Sequence, residues 1–153
     1  MANTVGAAIF HLIFAVKNRN AQLLPFFRPM VHSYMATILN KMGHKTIIVG
    51  GVEDHVHILF YYDIKQLLPD TVRELKTSTS KFIIQHGFVA CKFEWQSGYC
   101  YLSYSKSQID VVKNYIQNQV EHHHGMSFID EYRGFLDRFG LSYKIEYLPT
   151  DPM

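Results

Sequence analysis

Two histidines one residue apart, His55 and His57, stand in the run Glu53-Asp54-His55-Val56-His57-Ile58-Leu59-Phe60. Alternation along a β-strand sends Val56, Ile58 and Phe60 to one face and both imidazoles to the other, side by side. Neutral imidazole is a common ligand for divalent metals, so this pair supplies half of a coordination shell on a rigid backbone. The same pattern fits two histidines on a solvated sheet face, and so short a motif does not separate the two readings. A second group with chemical potential is Tyr115, on a segment where Ile109, Val112, Ile116 and Val120 recur at helical spacing. At about 100° per residue Tyr115 falls roughly a hundred degrees from the centre of that stripe, on the side of Gln108, Gln119 and His122. Gln119 follows one turn later, which sets an amide beside whatever the phenol contacts. The alternative is a partly buried tyrosine with a polar tip.

These groups need a framework, and the rest of the chain reads as one. Val5 to Lys17 is rich in β-branched and aromatic residues and stops at Asn18-Arg19-Asn20, a first strand and turn on which His11 and Phe14 face opposite ways. From about Phe26 to Met42 apolar residues recur at helical spacing, with Met30, Tyr34, Ile38 and Met42 flanked by Val31 and Met35, before the stop signal Gly43. Lys45 to Val52 reads as a second strand, and Gly50-Gly51 with Glu53-Asp54 turns it into the histidine strand as a hairpin. A second helix spans about Asp70 to His86, its core side marked by Val72, Leu75, Thr79 and Phe82 and its polar side by Arg73, Lys76, Thr77, Ser80 and Lys81. Phe93 to Tyr104 is expected as a fourth strand, and Ser105-Lys106-Ser107 opens a third helix running from Ser107 to about His123.

The order β-α-β-β-α-β predicts an α+β, ferredoxin-like sandwich. Two helices would cover one face of a four-stranded antiparallel sheet, with a tyrosine-bearing helix after it. The other face would be open and carry both histidines.

At 153 residues, 48% hydrophobic and 14% aromatic, residues 1–153 fit one domain with an ample core. Fifteen Lys and Arg against thirteen Asp and Glu leave +2, too little to name a partner from net charge. The apolar run Ala7 to Val16 is interrupted by His11 and too short for a membrane span, and with two cysteines the expected compartment is a reduced cytoplasm.

His55-Val56-His57 resembles the HUH motif, in which U is a bulky hydrophobic residue. Together with Tyr115-Ile116-Gln117-Asn118-Gln119 it is similar to the single-tyrosine transposases of the IS200/IS605 insertion-sequence family. The resemblance extends through His11-Leu12-Ile13-Phe14, Lys17-Asn18-Arg19, Trp95-Gln96-Ser97-Gly98-Tyr99 and Tyr104-Ser105. One departure is Cys100-Tyr101-Leu102, where the family pattern leads to expect smaller residues.

The resemblance implies that Tyr115 is the nucleophile and that His55, His57 and Gln119 hold a divalent ion, Mg2+ or Mn2+. It further implies single-stranded DNA with hairpins as substrate, a 5′-phosphotyrosine link that a second 3′-OH can attack, and a homodimer whose tyrosine helix completes the partner's active site. No ATP is needed for such transfer, and the sequence has no P-loop. Arg73, Lys76, Thr77, Ser80 and Lys81 suit phosphate oxygens, and exposed aromatics suit unpaired bases. His122-His123-His124 reads as a solvated cluster at a helix C-terminus. Two other readings stay open: an idle or domesticated protein that binds hairpin nucleic acid, and a related nuclease acting on host repeat hairpins.

Overall fold

The computed structural model describes residues 3–152. Strands β1 (Ile9–Ala15), β2 (Lys45–Gly51), β3 (His55–Tyr61) and β4 (Cys100–Ser103) form one sheet in the order β2-β3-β1-β4. Every neighbouring pair is antiparallel. Helices α1 (Arg28–Lys41) and α2 (Leu68–Gln85) lie between the strands in sequence, which gives the ferredoxin-like order the alternation implied.

On one face Leu12 and Phe14 of β1 and Val56, Ile58 and Phe60 of β3 meet Val31, Met35 and Leu39 of α1 and Val72 and Leu75 of α2. The helix was expected in α1, but its face is turned by one residue. Val31, Met35 and Leu39 are buried, while Met30 stays half exposed and Tyr34 stacks on Phe82 at 4.1 Å between ring centres. Both sets recur every four residues, so only the position of the sheet chooses between them.

The second face is not open. Helix α3 (Ile109–Gln117) packs Val112 and Ile116 on Ile9 and Leu59, and α5 (Phe128–Arg138) packs Phe128, Phe135 and Leu136 on Ile13, Ala15, Cys100 and Leu102. The central strands are therefore buried on both sides, and His55 and His57 have no exposed surface. The third helix is also interrupted: at Asn118, with φ −99° and ψ 22°, the chain leaves helical geometry before the short α4 (Gln119–His122). The fourth strand is confined to Cys100–Ser103, and among the described residues upstream of it only Trp95 makes a single bridge, to Val16. Gly98, at φ 85°, turns the chain between them and breaks the ladder.

Helix α5 went unforeseen although its signals are legible. Ser127 caps it by accepting a hydrogen bond from the Asp130 backbone N–H at 3.2 Å, Asp130 and Glu131 fill the first turn, and Phe128, Tyr132 and Phe135 recur at helical spacing.

The tyrosine helix is held close to β2 at Gly50. A β-carbon there would stand 2.6 Å from Ile116 Cγ2 and 2.8 Å from its carbonyl oxygen, so a side chain would force the helix away. Gly50→Ala is expected to lower stability by about 1–3 kcal/mol, the usual cost of overpacking. A lower urea midpoint at unchanged slope would show it, and an unchanged midpoint would mean that α3 yields freely.

Candidate metal and tyrosine centre

The site is built on the second face, where β3 delivers two histidines and three later segments close over them. His57 is fully buried, with Nδ1 at 2.7 Å from His11 Nε2 and Nε2 at 2.9 Å from Glu131 Oε1. His11, on the neighbouring β1 with Nδ1 at 3.3 Å from the Tyr104 hydroxyl, thus backs His57. His55 Nδ1 donates to Asp54 Oδ1 at 2.6 Å, and its Nε2 lies 3.1 Å from Gln119 Oε1 and 3.2 Å from Glu131 Oε1. Glu131, on α5, is the hub. Its Oε2 accepts the Tyr115 hydroxyl and the Gln119 amide N–H, the latter at 3.0 Å.

Of the residues singled out in the sequence, His55, His57, Tyr115 and Gln119 converge here. Glu131 and His123 did not figure among the expected ligands. His123, expected on a solvated cluster, instead directs Nε2 to within 3.1 Å of Glu131 Oε2 without hydrogen-bond geometry, and that buried nitrogen has no partner among the described residues. The break at Asn118 carries it inward. His122 only edges onto the Tyr115 ring, 4.6 Å between centres.

This donor set fits a cation. His123 Nδ1 donates to the Met126 carbonyl at 2.6 Å, so in its neutral form Nε2 turns a lone pair toward a carboxylate. His55 Nδ1–H is likewise used on Asp54, so a neutral His55 would oppose a lone pair to the oxygens of both Gln119 and Glu131. Either a proton or a metal ion must sit among them. His55, His57, His123 and Glu131 offer ligand atoms all within 4.8 Å of one another.

Without metal, protons settle unevenly. Burial works against charge on His55, but hydrogen bonds and negative charge from Asp54 and Glu131 outweigh it and raise the group to about 9. Burial lowers His57 to about 4, with Glu131 opposing the shift. For Glu131 burial favours the neutral acid, yet His123, His55 and His57 together hold the carboxyl far below its ordinary value. The Tyr115 phenol is pushed well above its ordinary 10 by burial and by Glu131 beside it, so it is neutral at physiological pH.

A divalent ion bound at His55 would displace the proton that this group keeps up to about pH 9, so Mn2+ affinity of the DNA-free protein should then rise about tenfold per pH unit from neutrality and level off near 9. Titrations at three pH values read this directly. Affinity flat from pH 7 to 9 would remove His55 from the shell.

The basic residues expected at DNA lie across the sheet, on α2. Arg73 pairs with Asp70 at 2.6 Å and is exposed. Lys76 is committed to the fold: its Nζ donates to the carbonyls of Gln96 at 2.9 Å and Gly98 at 2.7 Å, and burial lowers it to about 8. Thr77, Ser80 and Lys81 line a groove of about 740 Å³ that also includes Lys17, Trp95 and Gln96.

Known proteins share this architecture. Residues 4–119 match the family model described as "Transposase IS200 like". The ISDra2 transposase TnpA of Deinococcus radiodurans is 27% identical over 115 residues, covering 72% of this chain and 82% of that protein. Among solved structures, a Deinococcus radiodurans chain assigned as a transposase superposes with a TM-score of 0.61 at 22% identity, over 78% of this chain and 95% of its own. The REP-associated tyrosine transposase bound to a REP hairpin does so with a TM-score of 0.58 at 15% identity, over 98% and 90%. His123 and Glu131 lie beyond the matched segment, whereas His55, His57, Tyr115 and Gln119 lie within it. With a match that runs through most of its length and ends on Gln119, this chain belongs to the IS200-like family of transposases.

Proposed function

We propose that this protein nicks and rejoins hairpin-bearing single-stranded DNA at insertion-sequence ends, with Tyr115 as nucleophile and a divalent ion, Mg2+ or Mn2+, held by His55, His57 and Gln119. The carrying observation is that Tyr115 and His57, 58 positions apart in the chain, reach the same buried carboxylate. When bound, the ion would organise the scissile phosphate and stabilise its developing charge. The Tyr115 oxygen forms a bond to phosphorus as the bond to the DNA 3′-oxygen breaks, leaving a 5′-phosphotyrosine and a free 3′-OH. Reversal by another 3′-OH completes strand transfer without an external energy source. The setting we infer is the cytoplasm. Among the described residues no helix is long and apolar enough to cross a membrane.

A single chain assembles all of these groups, because α3 docks on its own sheet through Gly50 and Ile116. This is the arrangement for cleavage in cis, whereas the composite homodimer implied by the family resemblance would exchange the tyrosine helices between subunits. Mixing Tyr115→Phe with His57→Ala tests the choice: in cis every site keeps one defect and the mixture stays inactive. Recovery of about a quarter of wild-type sites, the random-pairing value for a two-fold dimer, would establish exchange.

A second reading, the same chemistry directed at dispersed repeat hairpins of the host, is favoured by one observation. Fold likeness to the REP-associated protein extends over 98% of the chain, past the point where the family match stops. Incubation with Mn2+ and hairpin oligonucleotides from the gene's flanks or from host repeats decides the substrate. A covalent protein-DNA adduct with neither would favour an idle hairpin-binding protein.

A further inference from the structure

The two oxygens of Glu131 face different chemistry. Oε1 looks at the histidine pair, 2.9 Å from His57 Nε2 and 3.2 Å from His55 Nε2. Two ligands at right angles on one octahedral ion with bonds of about 2.1 Å stand about 3.0 Å apart, so these separations are those of neighbouring atoms in a coordination shell. Oε2 looks the other way and receives the Tyr115 hydroxyl and the Gln119 amide. Helix α5 is anchored there by Phe128, Phe135 and Leu136, all buried, which makes the carboxylate a fixed part of the site.

We propose that Glu131 is a metal ligand through Oε1 and the seat of the Tyr115 hydroxyl through Oε2, so that one carboxylate ties the nucleophile to the metal. Gln119 then serves by steering Glu131 as much as by its own oxygen. The residue comes from outside the family-matched segment, so in this chain the metal shell is completed by a helix added after the tyrosine. An anionic ligand also lowers the net positive charge of the loaded site, which favours hard divalent ions bound through oxygen. The inference rests on the metal reading above.

Mn2+ binding to the full chain, followed without DNA by the loss of the free-ion paramagnetic resonance signal, separates the two. Wild type should bind one ion, and His57→Ala should weaken binding strongly. Glu131→Gln, which keeps the side-chain volume, should weaken it by at least about tenfold, and Tyr115→Phe, which removes only a hydrogen bond to that carboxylate, by clearly less. Addition of Mn2+ should also perturb the tyrosine near-ultraviolet spectrum in wild type, and that change should vanish in both Tyr115→Phe and Glu131→Gln. Binding by Glu131→Gln within about twofold of wild type would overturn the role of Glu131 and leave the histidine site standing. No binding to wild type, or none that depends on His57, would overturn the metal reading itself. Should Glu131→Gln not fold, anomalous scattering from wild-type crystals grown with Mn2+ decides: an ion in bonding contact with Oε1 supports the assignment, and one bound to the histidines but out of reach of Oε1 rejects it.

Discussion

Tyr115→Phe should abolish covalent capture of single-stranded DNA, by about 10³-fold or more, while hairpin binding persists. Phenylalanine keeps the ring contacts with His57, His122 and Phe135 and removes only the attacking oxygen. The fold pays a little for the change, since Glu131 Oε2 loses a donor but keeps the Gln119 amide. A hydrogen bond to a charged acceptor contributes about 1.5–3 kcal/mol, and this one, partly open to solvent, sits at the lower end. A denaturing gel with labelled oligonucleotide reads the adduct, and a native gel reads binding. An adduct that survives in the variant would put the nucleophile elsewhere, with Tyr104 the next tyrosine to examine because it borders His11 in the same site.

Removing the metal should have an effect nearly as large. EDTA should stop cleavage by wild type, and His57→Ala should match it, because burial keeps His57 neutral and its Nε2 stands 2.9 Å from Glu131 Oε1 at the centre of the cluster. The variant also strands two buried neighbours, His11 and Glu131, each of which loses a hydrogen-bond partner, at about 1–3 kcal/mol per unsatisfied group. A lower melting temperature in His57→Ala is therefore expected beside lost activity. Excess Mn2+ should restore part of the cleavage if the remaining donors still hold the ion weakly. Undiminished cleavage in EDTA by wild-type protein would leave the buried cluster with a structural role only.

Much of this was legible in the residues because it depends on local period. The two-residue alternation of β3 placed His55 and His57 on one face, and the helical spacing of Ile109, Val112 and Ile116 left Tyr115 and Gln119 to one side of the docking stripe. Gly50 marked the hairpin, though not that a helix lies against it. Resemblance to the transposase family supplied the roles, which spacing alone could not. What the sequence did not yield is what depends on which surfaces meet. The face of α1, Val31 and Met35 rather than Met30 and Tyr34, was settled by the sheet it lies on. The closed second face, the burial of both histidines and the inward turn of His123 follow from α5 and the break at Asn118. Glu131 is the clearest case. In sequence it is an ordinary acidic residue in the first turn of a helix, where the helix dipole favours one. Only packing of Phe128, Phe135 and Leu136 on β1 and β4 brings that carboxylate from 74 positions away to within hydrogen-bonding distance of His57, and no local pattern encodes so distant a contact.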